Sequence, residues 1–481
     1  MLPSGTYGGF PPPSGFTDQR STRRGLALCV AAGVWSALWP GLGHLVIKAP
    51  KRAAWVLAAL LNIAAVATVV YVVHDVRNKA DLIRVIADRH RFIALGFGLV
   101  VMAVTRLFTT IDAAWQTRPV RGEGVKAAAM FTTAVFVAVG VVPLAIAADY
   151  VRRTDQTLEH VFGNRNATTA GVLFDGLGRV NVLLLGGDAG PNRYSLRTDT
   201  MIVVSLDPAT GDAAMISVPR NLPTLPFPPD SPMGQRFPNG FTDIANAVYP
   251  YVLDHPELGG GGADAAPQVL KQAMAQLMGI PINFYVLVDM AGFVHVVDAI
   301  RGIDLYVGTR TPSPGNPDDA LHPVPAYIEV GQQHMDGTLA LAYSRSREAD
   351  SDFGRMARQR CVLGAIAAAA TPMSLALGLP DLLTAFGASV RTDIPRGKLG
   401  DFAALIKRFD NKGGMSSVRT LHLAPPTIDQ TAWRLQQVRD LVANVIAPGS
   451  VPFIHGDLHH QDSTVPPAAP PSLAQECHAS R

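Results

Sequence analysis

Four long apolar stretches near the start of this chain constrain its fold more than any other feature. They cover residues 25–47, 53–73, 92–115 and 127–148, and each has close to the ~20 apolar residues that a helix needs to cross a bilayer. This part of the sequence offers no amphipathic partners that could bury four such segments in a soluble core. It therefore predicts a transmembrane region at residues 25–148, preceded by a disordered basic tail at residues 1–24 that is rich in Gly, Pro and Ser.

The first apolar stretch is interrupted by Trp39, Pro40 and Gly41, and His44 adds a polar side chain. Because proline removes a helical hydrogen bond, this stretch either crosses the membrane as a fourth span or re-enters beside three true spans. Three spans would place the rest of the chain opposite the basic N-terminal tail, whereas four would keep it on the same side. Basic residues flank the spans almost equally on both sides, so their distribution leaves the orientation open.

Charge and cysteine content exclude some classes of function. The formal net charge is only +3, and no basic stripe interleaved with aromatic residues appears, so we expect no nucleic-acid partner. Cys29, Cys361 and Cys477 lie in an apolar stretch, a predicted helix and the C-terminal tail. Their separation predicts neither a disulfide framework nor a cysteine metal site.

After a polar stalk at residues 149–176, strand and helix patterns alternate, which predicts an α/β domain at residues 177–447. Short apolar runs predict strands at residues 180–185, 201–206, 213–218, 282–288, 303–307 and 418–423. Helical spacing predicts helices at residues 265–278, 290–300, 337–345, 355–370, 375–386, 399–409 and 432–446. The Pro-rich segment 223–250 is interpreted as a long surface loop that leads into a short helix, and residues 448–481 as a disordered Pro-rich tail.

A concentration of arginines opens one of these helices. The four arginines are Arg345, Arg347, Arg355 and Arg358. Guanidinium groups fit phosphate oxygens two at a time, and near the positive end of a helix dipole they favour a bound anion. Arg355 and Arg358 lie three residues apart on one helix face, and Val362 and Ile366 continue that face, which predicts an amphiphilic ligand with a phosphate head and an apolar tail. The alternative is a solvated basic helix start.

Two acids lie where predicted strands end or begin. Asp188 follows two glycines after the first strand, and Asp199 precedes the second strand. If those strands are neighbours, both carboxylates can meet Arg197 and Arg220 at one edge of the sheet. Two carboxylates that share a cation with phosphate oxygens suit Mg²⁺. The alternatives are that Asp188 only closes a turn and that Arg220 is an exposed arginine at a strand end.

Asp352 lies just before the helix that carries Arg355 and Arg358. It could cap that helix, as could Ser351. It could also hold Arg345 or Arg347 in position, or accept a proton from an attacking hydroxyl. We favour capping combined with positioning of the arginines.

Six segments, taken in order, resemble the LytR-CpsA-Psr family of cell-envelope transferases over about residues 178–447. They are Val182-Leu-Leu-Leu-Gly-Gly-Asp188, Arg197-Thr-Asp-Thr-Met201, Ser217-Val-Pro-Arg-Asn221, Gly279-Ile-Pro-Ile-Asn-Phe-Tyr285 with Val288-Asp-Met-Ala-Gly-Phe293, Asp336-Gly337 through Tyr343-Ser-Arg-Ser-Arg347, and Asp352-Phe-Gly-Arg-Met-Ala-Arg-Gln359. The resemblance implies an α/β/α sandwich with an apolar lipid slot between the sheet and the helices. It also implies a membrane protein with three spans whose catalytic domain is extracytoplasmic.

The same resemblance implies an activity and roles for individual residues. Such an enzyme moves a glycopolymer from a polyprenyl-pyrophosphate carrier onto peptidoglycan by Mg²⁺-dependent phosphoryl transfer. Asp188 and Asp199 match the metal-binding acids. The pyrophosphate-binding positions are Arg197, Arg220, Arg345, Arg347, Arg355, Arg358 and Gln359, and the catalytic positions are Arg220, Arg345, Arg347 and Asp352.

Two features depart from the common family pattern. Asn221 stands where an aspartate is frequent, and the chain has several apolar stretches instead of one. Both features resemble actinobacterial members, which implies arabinogalactan or a related polymer as the transferred glycan. Two other functions stay open: a hydrolase that uses water as the attacking group on the same lipid, and a non-catalytic membrane receptor or regulator that binds lipid-linked glycans.

Overall fold

The computed structural model describes residues 27–36, 38–46, 52–74, 76, 79–117, 123–162, 178–188, 196–262, 264–314, 324–347, 352–369, 390–425 and 427–447, with Leu473 and Cys477. The chain divides into two compact units, residues 1–77 with 88–155 and residues 78–87 with 156–481. The predicted N-terminal tail and the predicted helix at 375–386 lie outside the described residues. The predicted C-terminal tail also lies outside them, except for Leu473 and Cys477.

The first unit is helical. Its helices are α1 (Ala27–Ser36), α2 (Leu42–Val46), α3 (Arg52–Val73), α5 (Arg89–Thr117) and α6 (Glu123–Phe162), the last of which continues into the second unit. Among the described residues, three segments are long and apolar enough to cross a membrane, namely Trp55–Val73, Arg89–Thr117 and Glu123–Glu159.

The predicted interruption of the first apolar stretch is confirmed. Between α1 and α2 the chain turns at Pro40 and Gly41, and Gly41 takes a φ of +92°, which a residue with a Cβ rarely adopts. The predicted stalk begins as a helix, because residues 150–162 continue α6.

A six-stranded mixed sheet organises the second unit, with strand order β10-β3-β2-β1-β4-β9. Its strands are β1 (Val180–Gly187), β2 (Thr198–Leu206), β3 (Ala213–Val218), β4 (Phe284–Asp289), β9 (Val390–Thr392) and β10 (Arg419–His422). The β1–β4 and β3–β10 pairs are parallel, and the other pairs are antiparallel. Two small antiparallel pairs join β5 (Ile303–Val307) to β8 (Gly331–Met335) and β6 (Thr311–Pro312) to β7 (Tyr327–Ile328).

Helices cover both faces of the sheet. The helices of the second unit are α4 (Lys79–Ala87), α7 (Pro232–Arg236), α8 (Val248–Asp254), α9 (Ala265–Met278), α10 (Met290–Ala299), α11 (Gly337–Arg345), α12 (Asp352–Ala369), α13 (Leu399–Asn411) and α14 (Leu435–Ile446). Short 3₁₀ turns lie at Ala245–Ala247, Pro256–Gly259, Arg396–Lys398 and Gly414–Ser417.

The side-chain alternation of the strands produces this layering. Leu183 and Leu185 belong to the main core with residues of α8, α9 and α14, whereas Val182 and Leu184 pack on the opposite side with residues of α13. Successive strand residues point to opposite faces, so both faces of β1 are apolar and both are covered. The predicted α/β/α sandwich is confirmed.

The prediction that residues 223–250 form a surface loop is wrong. Leu225, Phe227 and Phe241 are buried members of the main core, and the segment contains α7. The short helix predicted at its end is confirmed, because α8 begins at Val248. The apolar residues of the segment before α8 follow neither strand nor helix spacing, so their burial has no periodic signal in the sequence.

The prediction that the cysteines form no disulfide is also wrong. Cys361 of α12 is bonded to Cys477, which lies 116 residues further along the chain. The side chain of Leu473 is only 2% exposed, so the expected disorder of the tail does not hold at these two positions. Sequence spacing carries no signal for a pairing over such a distance.

Candidate functional site

A cavity of about 830 Å³ lies between one face of the sheet and helices α10, α11 and α12. Polar side chains surround one part of it: Asp188, Arg197, Asp199, Arg220, Asn246, Asp289, Arg345, Arg347, Arg355 and Gln359. Apolar side chains form the remainder, among them Leu184, Val286, Val288, Phe293, Val296, Leu341, Val362, Leu363, Ile366 and Val390. Five arginines against three aspartates favour an anion, and the apolar part favours a chain attached to it.

A β-bulge positions Asp199. Gly186 pairs with Thr200, but Gly187 pairs with Thr198, so Asp199 is the extra residue on β2. A bulge re-aims the side chain of its unpaired residue, and here the carboxylate lines the cavity. At the same strand ends, the Asp188 N–H donates to the Arg197 carbonyl oxygen at 2.8 Å. The two strands are neighbours, as the prediction required, and both acids line the same cavity.

The Asp199 carboxylate is held by several donors. Arg220 Nη1 lies 3.0 Å from each of its oxygens, Asn246 Nδ2 donates to Oδ1 at 3.0 Å, and Arg347 Nη2 donates to Oδ2 at 3.3 Å. Burial acts to raise the pKa of Asp199, but the Asn246 hydrogen bond and the Arg220 charge outweigh it and hold the pKa below its usual value. Asp199 is therefore ionised at neutral pH.

Asp352 links three arginines. Its oxygens lie 3.0 Å from Arg355 Nη2, 3.5 Å from Arg220 Nε and 3.6 Å from Arg347 Nε. The residue is the first of α12, and its side chain faces guanidinium groups, which agrees with the predicted positioning of arginines. Burial, followed by the charges of Arg347 and Arg220, lowers the pKa of the Arg355 guanidinium despite the opposing effect of Asp352.

One face of α12 lines the cavity along its length. Arg355, Gln359, Val362, Leu363 and Ile366 all contribute to the lining. These positions recur at three- and four-residue spacing and so project from one side of the helix. A polar part and an apolar part therefore follow one another on a single helix, as the sequence predicted.

Arg358 is placed differently from our expectation, because it does not contribute to the described cavity lining. A residue three positions after Arg355 lies about 60° around the helix from it. The Arg358 guanidinium is buried and donates to the carbonyl oxygens of Tyr343 and Ser346. Its contacts stabilise the end of α11, and the cavity lining therefore does not support its predicted role in pyrophosphate binding.

The donor set for a divalent cation consists of Asp188 and Asp199, which line the same cavity. In the part of the chain that the structure describes, no group of three or more His, Cys, Asp or Glu side chains is placed to hold a metal ion. Mg²⁺ is commonly bound by one or two carboxylates together with phosphate oxygens of a substrate. The two acids fit such a shared site, provided that the arginines on Asp199 turn toward the phosphates.

Sequence reasoning missed Asn246. It lies in the segment interpreted as a surface loop, yet it is only 2% exposed, and its backbone N–H donates to the Arg220 carbonyl oxygen at 2.9 Å. Its side chain orients Asp199, so it connects two residues that were predicted. A single asparagine outside any periodic pattern offered no signal for this role.

Comparisons with known proteins show what this chain is similar to. A teichoic acid transferase from Bacillus cereus (strain ATCC 14579), the polyisoprenyl-teichoic acid–peptidoglycan enzyme TagU, is 29% identical over 224 residues, which cover 46% of this chain and 62% of that protein. TagU from Oceanobacillus iheyensis is 30% identical over 223 residues, covering 46% of this chain and 60% of that protein. The matched region thus spans less than two thirds of either relative. The crystal structure of Bacillus subtilis TagV matches with 25% sequence identity and a TM-score of 0.40, covering 55% of this chain and 96% of that chain.

The family assignment follows from a match over a larger region. The model of the LytR_cpsA_psr family matches residues 151–438, which is more than half of the 481 residues. That region includes the whole arginine-rich cavity and both aspartates. On the motifs, the fold and this match, the chain belongs to the LytR-CpsA-Psr family.

Proposed function

We propose that this protein transfers a glycopolymer from a polyprenyl-pyrophosphate carrier onto peptidoglycan. The observation that carries the proposal is the single cavity in which five arginines adjoin an apolar slot. A diphosphate with a glycan on one side and an isoprenoid chain on the other matches both parts of this cavity. The related enzymes named above act on a polyisoprenyl-linked teichoic acid and peptidoglycan, which supports the same general pair of substrates.

The arginines would supply most of the catalytic stabilisation. A peptidoglycan hydroxyl attacks the phosphorus nearest the glycan, forming a new P–O bond and releasing its proton. The bond from that phosphorus to the bridging oxygen breaks, and polyprenyl phosphate leaves. Arg220, Arg345, Arg347 and Arg355 offset negative charge on the transferring and leaving oxygens, while Asp352 keeps three of these arginines in place.

Asp188 and Asp199 are the residues that would hold Mg²⁺. The cation, when bound, would neutralise charge on the diphosphate. The arginines on Asp199 compete for the same carboxylate oxygens. We therefore expect Mg²⁺ and the diphosphate to bind together, with the phosphates accepting the arginine donors.

The domain is proposed to face the outside of the cell, on a multi-pass membrane protein with three spans. Three helices are long and apolar enough to cross a membrane. The Cys361–Cys477 disulfide supports an extracytoplasmic location, because disulfides persist in oxidising compartments and are rare in the cytosol. For the transferred glycan, arabinogalactan or a related wall polymer remains the proposal, on the motif variants seen in the sequence.

The test is reconstitution of the full chain in detergent with a polyprenyl-pyrophosphate-linked glycan and purified peptidoglycan. Transfer yields wall-linked glycan together with one polyprenyl phosphate per linkage. Release of glycan phosphate without wall linkage would instead identify a hydrolase. Binding of the lipid with no turnover of either kind would identify a receptor and would overturn the proposal.

A further inference from the structure

We propose that Leu473 and Cys477, here named the C-terminal clamp, support the wall of the lipid slot from behind its lining residues and determine how well an isoprenoid chain fits it. This inference rests on the proposed function, because it concerns the lipid part of the same cavity. The clamp comes from the far end of the chain, well beyond residues 151–438 that match the family model. It is therefore a feature of this chain outside the matched family region.

The clamp is fastened to the domain at two points. Cys477 forms the disulfide to Cys361 on α12. The backbone N–H of Leu473 donates to the Val418 carbonyl oxygen at 3.1 Å, just before β10. A covalent bond on one side and a main-chain hydrogen bond on the other hold Leu473 in a defined place against the sheet.

The clamp packs against residues that also line the cavity. Leu473 belongs to a buried apolar cluster, and Leu184, Leu363 and Cys477 pack against that cluster. Leu184 and Leu363 are both part of the cavity lining. The closeness of α12 is seen at Gly364, where a Cβ would lie 3.1 Å from Leu473 Cδ2. The clamp therefore supports the slot wall directly behind its lining residues.

This part of the wall lies away from the phosphate-binding arginines. Leu363 follows Arg355 by eight residues, which is about 12 Å along a helix at 1.5 Å per residue. Leu184 precedes Gly187, at the polar end of β1, by three residues, which is about 10 Å along the strand. We therefore expect the clamp to affect the binding affinity of an isoprenoid chain that extends from the diphosphate, and not that of a diphosphate alone.

The experiment compares two probes on the full chain in detergent: inorganic pyrophosphate, which tests the polar part, and undecaprenyl phosphate, which tests the slot. We expect Leu473→Ala to weaken undecaprenyl phosphate binding about tenfold, the scale set by small changes in apolar pockets, and to leave pyrophosphate affinity within about twofold. Cys477→Ser keeps the leucine but removes the covalent attachment, and it should shift the lipid affinity in the same direction. Treating the wild type with a reductant should reproduce the Cys477→Ser result.

Leu423→Ala is the matched control, because Leu423 is a buried leucine of the core on the opposite face of the sheet. It should lower stability without changing undecaprenyl phosphate affinity. Unchanged lipid affinity in both folded clamp variants would overturn the inference while leaving the proposed function intact. Failure of the wild type to bind undecaprenyl phosphate would overturn the proposed function itself. If Leu473→Ala does not fold, the Cys477→Ser and reductant results decide.

Discussion

Replacement of Asn246 by alanine tests whether Asp199 is held as the structure indicates. Asn246 Nδ2 donates to Asp199 Oδ1 at 3.0 Å inside the domain. A hydrogen bond to a charged group contributes about 1.5–3 kcal/mol. We therefore expect Asn246→Ala to lower the free energy of unfolding by about 2 kcal/mol at neutral pH. It should also reduce transfer activity, because Arg220 and Arg347 share the same carboxylate.

The loss should depend on pH in a defined direction. The folded-state pKa of Asp199 is lowered, so its interactions contribute stability above the unfolded-state pKa of about 3.9. That contribution is lost as the pH falls through the folded-state pKa. Removing Asn246 raises the folded-state pKa toward the unfolded value. The difference in stability between Asn246→Ala and the wild type should therefore be largest near neutral pH and shrink below about pH 4.

Asn181→Ala is a matched control for this effect. Asn181 is also 2% exposed, and its Nδ2 donates to the neutral carbonyl oxygen of Pro281 at 2.7 Å. In both asparagines the side-chain oxygen is buried without a hydrogen-bond partner among the described residues. Because the Asn181 bond involves no titrating acceptor, its loss should cost the same stability at every pH.

The measurement is urea unfolding of the full chain in detergent at several pH values, in which proteolysis of the domain reports how much of it is unfolded. With an m-value of about 3 kcal/mol per molar urea, a loss of 2 kcal/mol moves the midpoint by about 0.7 M. A loss in Asn246→Ala that is independent of pH, like that of Asn181→Ala, would refute the assigned coupling to Asp199. A loss that increases in acid would refute its sign.

Three further predictions concern the arginines, the metal and the disulfide. Arg355→Ala should lower turnover at least about 100-fold. Arg358→Ala should mainly lower the free energy of unfolding, by about 2–4 kcal/mol, since two carbonyl oxygens lose their donor. Steady-state kinetics and unfolding of both variants check this, and a larger loss of turnover in Arg358→Ala than in Arg355→Ala would contradict the site. Asp188→Asn should abolish the increase in pyrophosphate affinity that Mg²⁺ produces in the wild type, measured by calorimetry; an unaltered increase would remove Asp188 from the metal site. In intact cells Cys361 and Cys477 should resist thiol labelling until reduced, as mass spectrometry of labelled peptides can show; free labelling of both would place the domain in a reducing compartment.

Local features of the sequence were sufficient for most of the secondary structure. The predicted bounds of β3, α9 and α11 agree with the structure residue by residue, because each has the periodicity or length typical of its element and clear ends. The long apolar stretches predicted membrane helices for the same reason. The composition of the site was also largely visible, since eight of its ten predicted residues line the cavity and Asp352 contacts three of the arginines.

Other decisions needed the folded chain, because they depend on partners that are distant in sequence. A guanidinium three residues from Arg355 could have faced the cavity, but packing against α11 directs Arg358 to carbonyl oxygens instead. The bulge at Asp199 arises only when β1 and β2 pair. Asn246 acquires its role only when an irregular segment packs beneath the site.

By itself, the sequence determined that the chain has helices apolar enough to cross a membrane and an α/β domain with a concentration of arginines, since these follow from local hydrophobic patterns and residue chemistry. Tertiary structure decided which arginine lines the cavity, which asparagine orients Asp199, and which cysteine bonds to Cys361 of α12. The physical reason is that a side chain's direction and partner depend on contacts between separate segments, which in these three cases lie 15, 47 and 116 residues apart in the sequence. No local pattern in the sequence records such contacts.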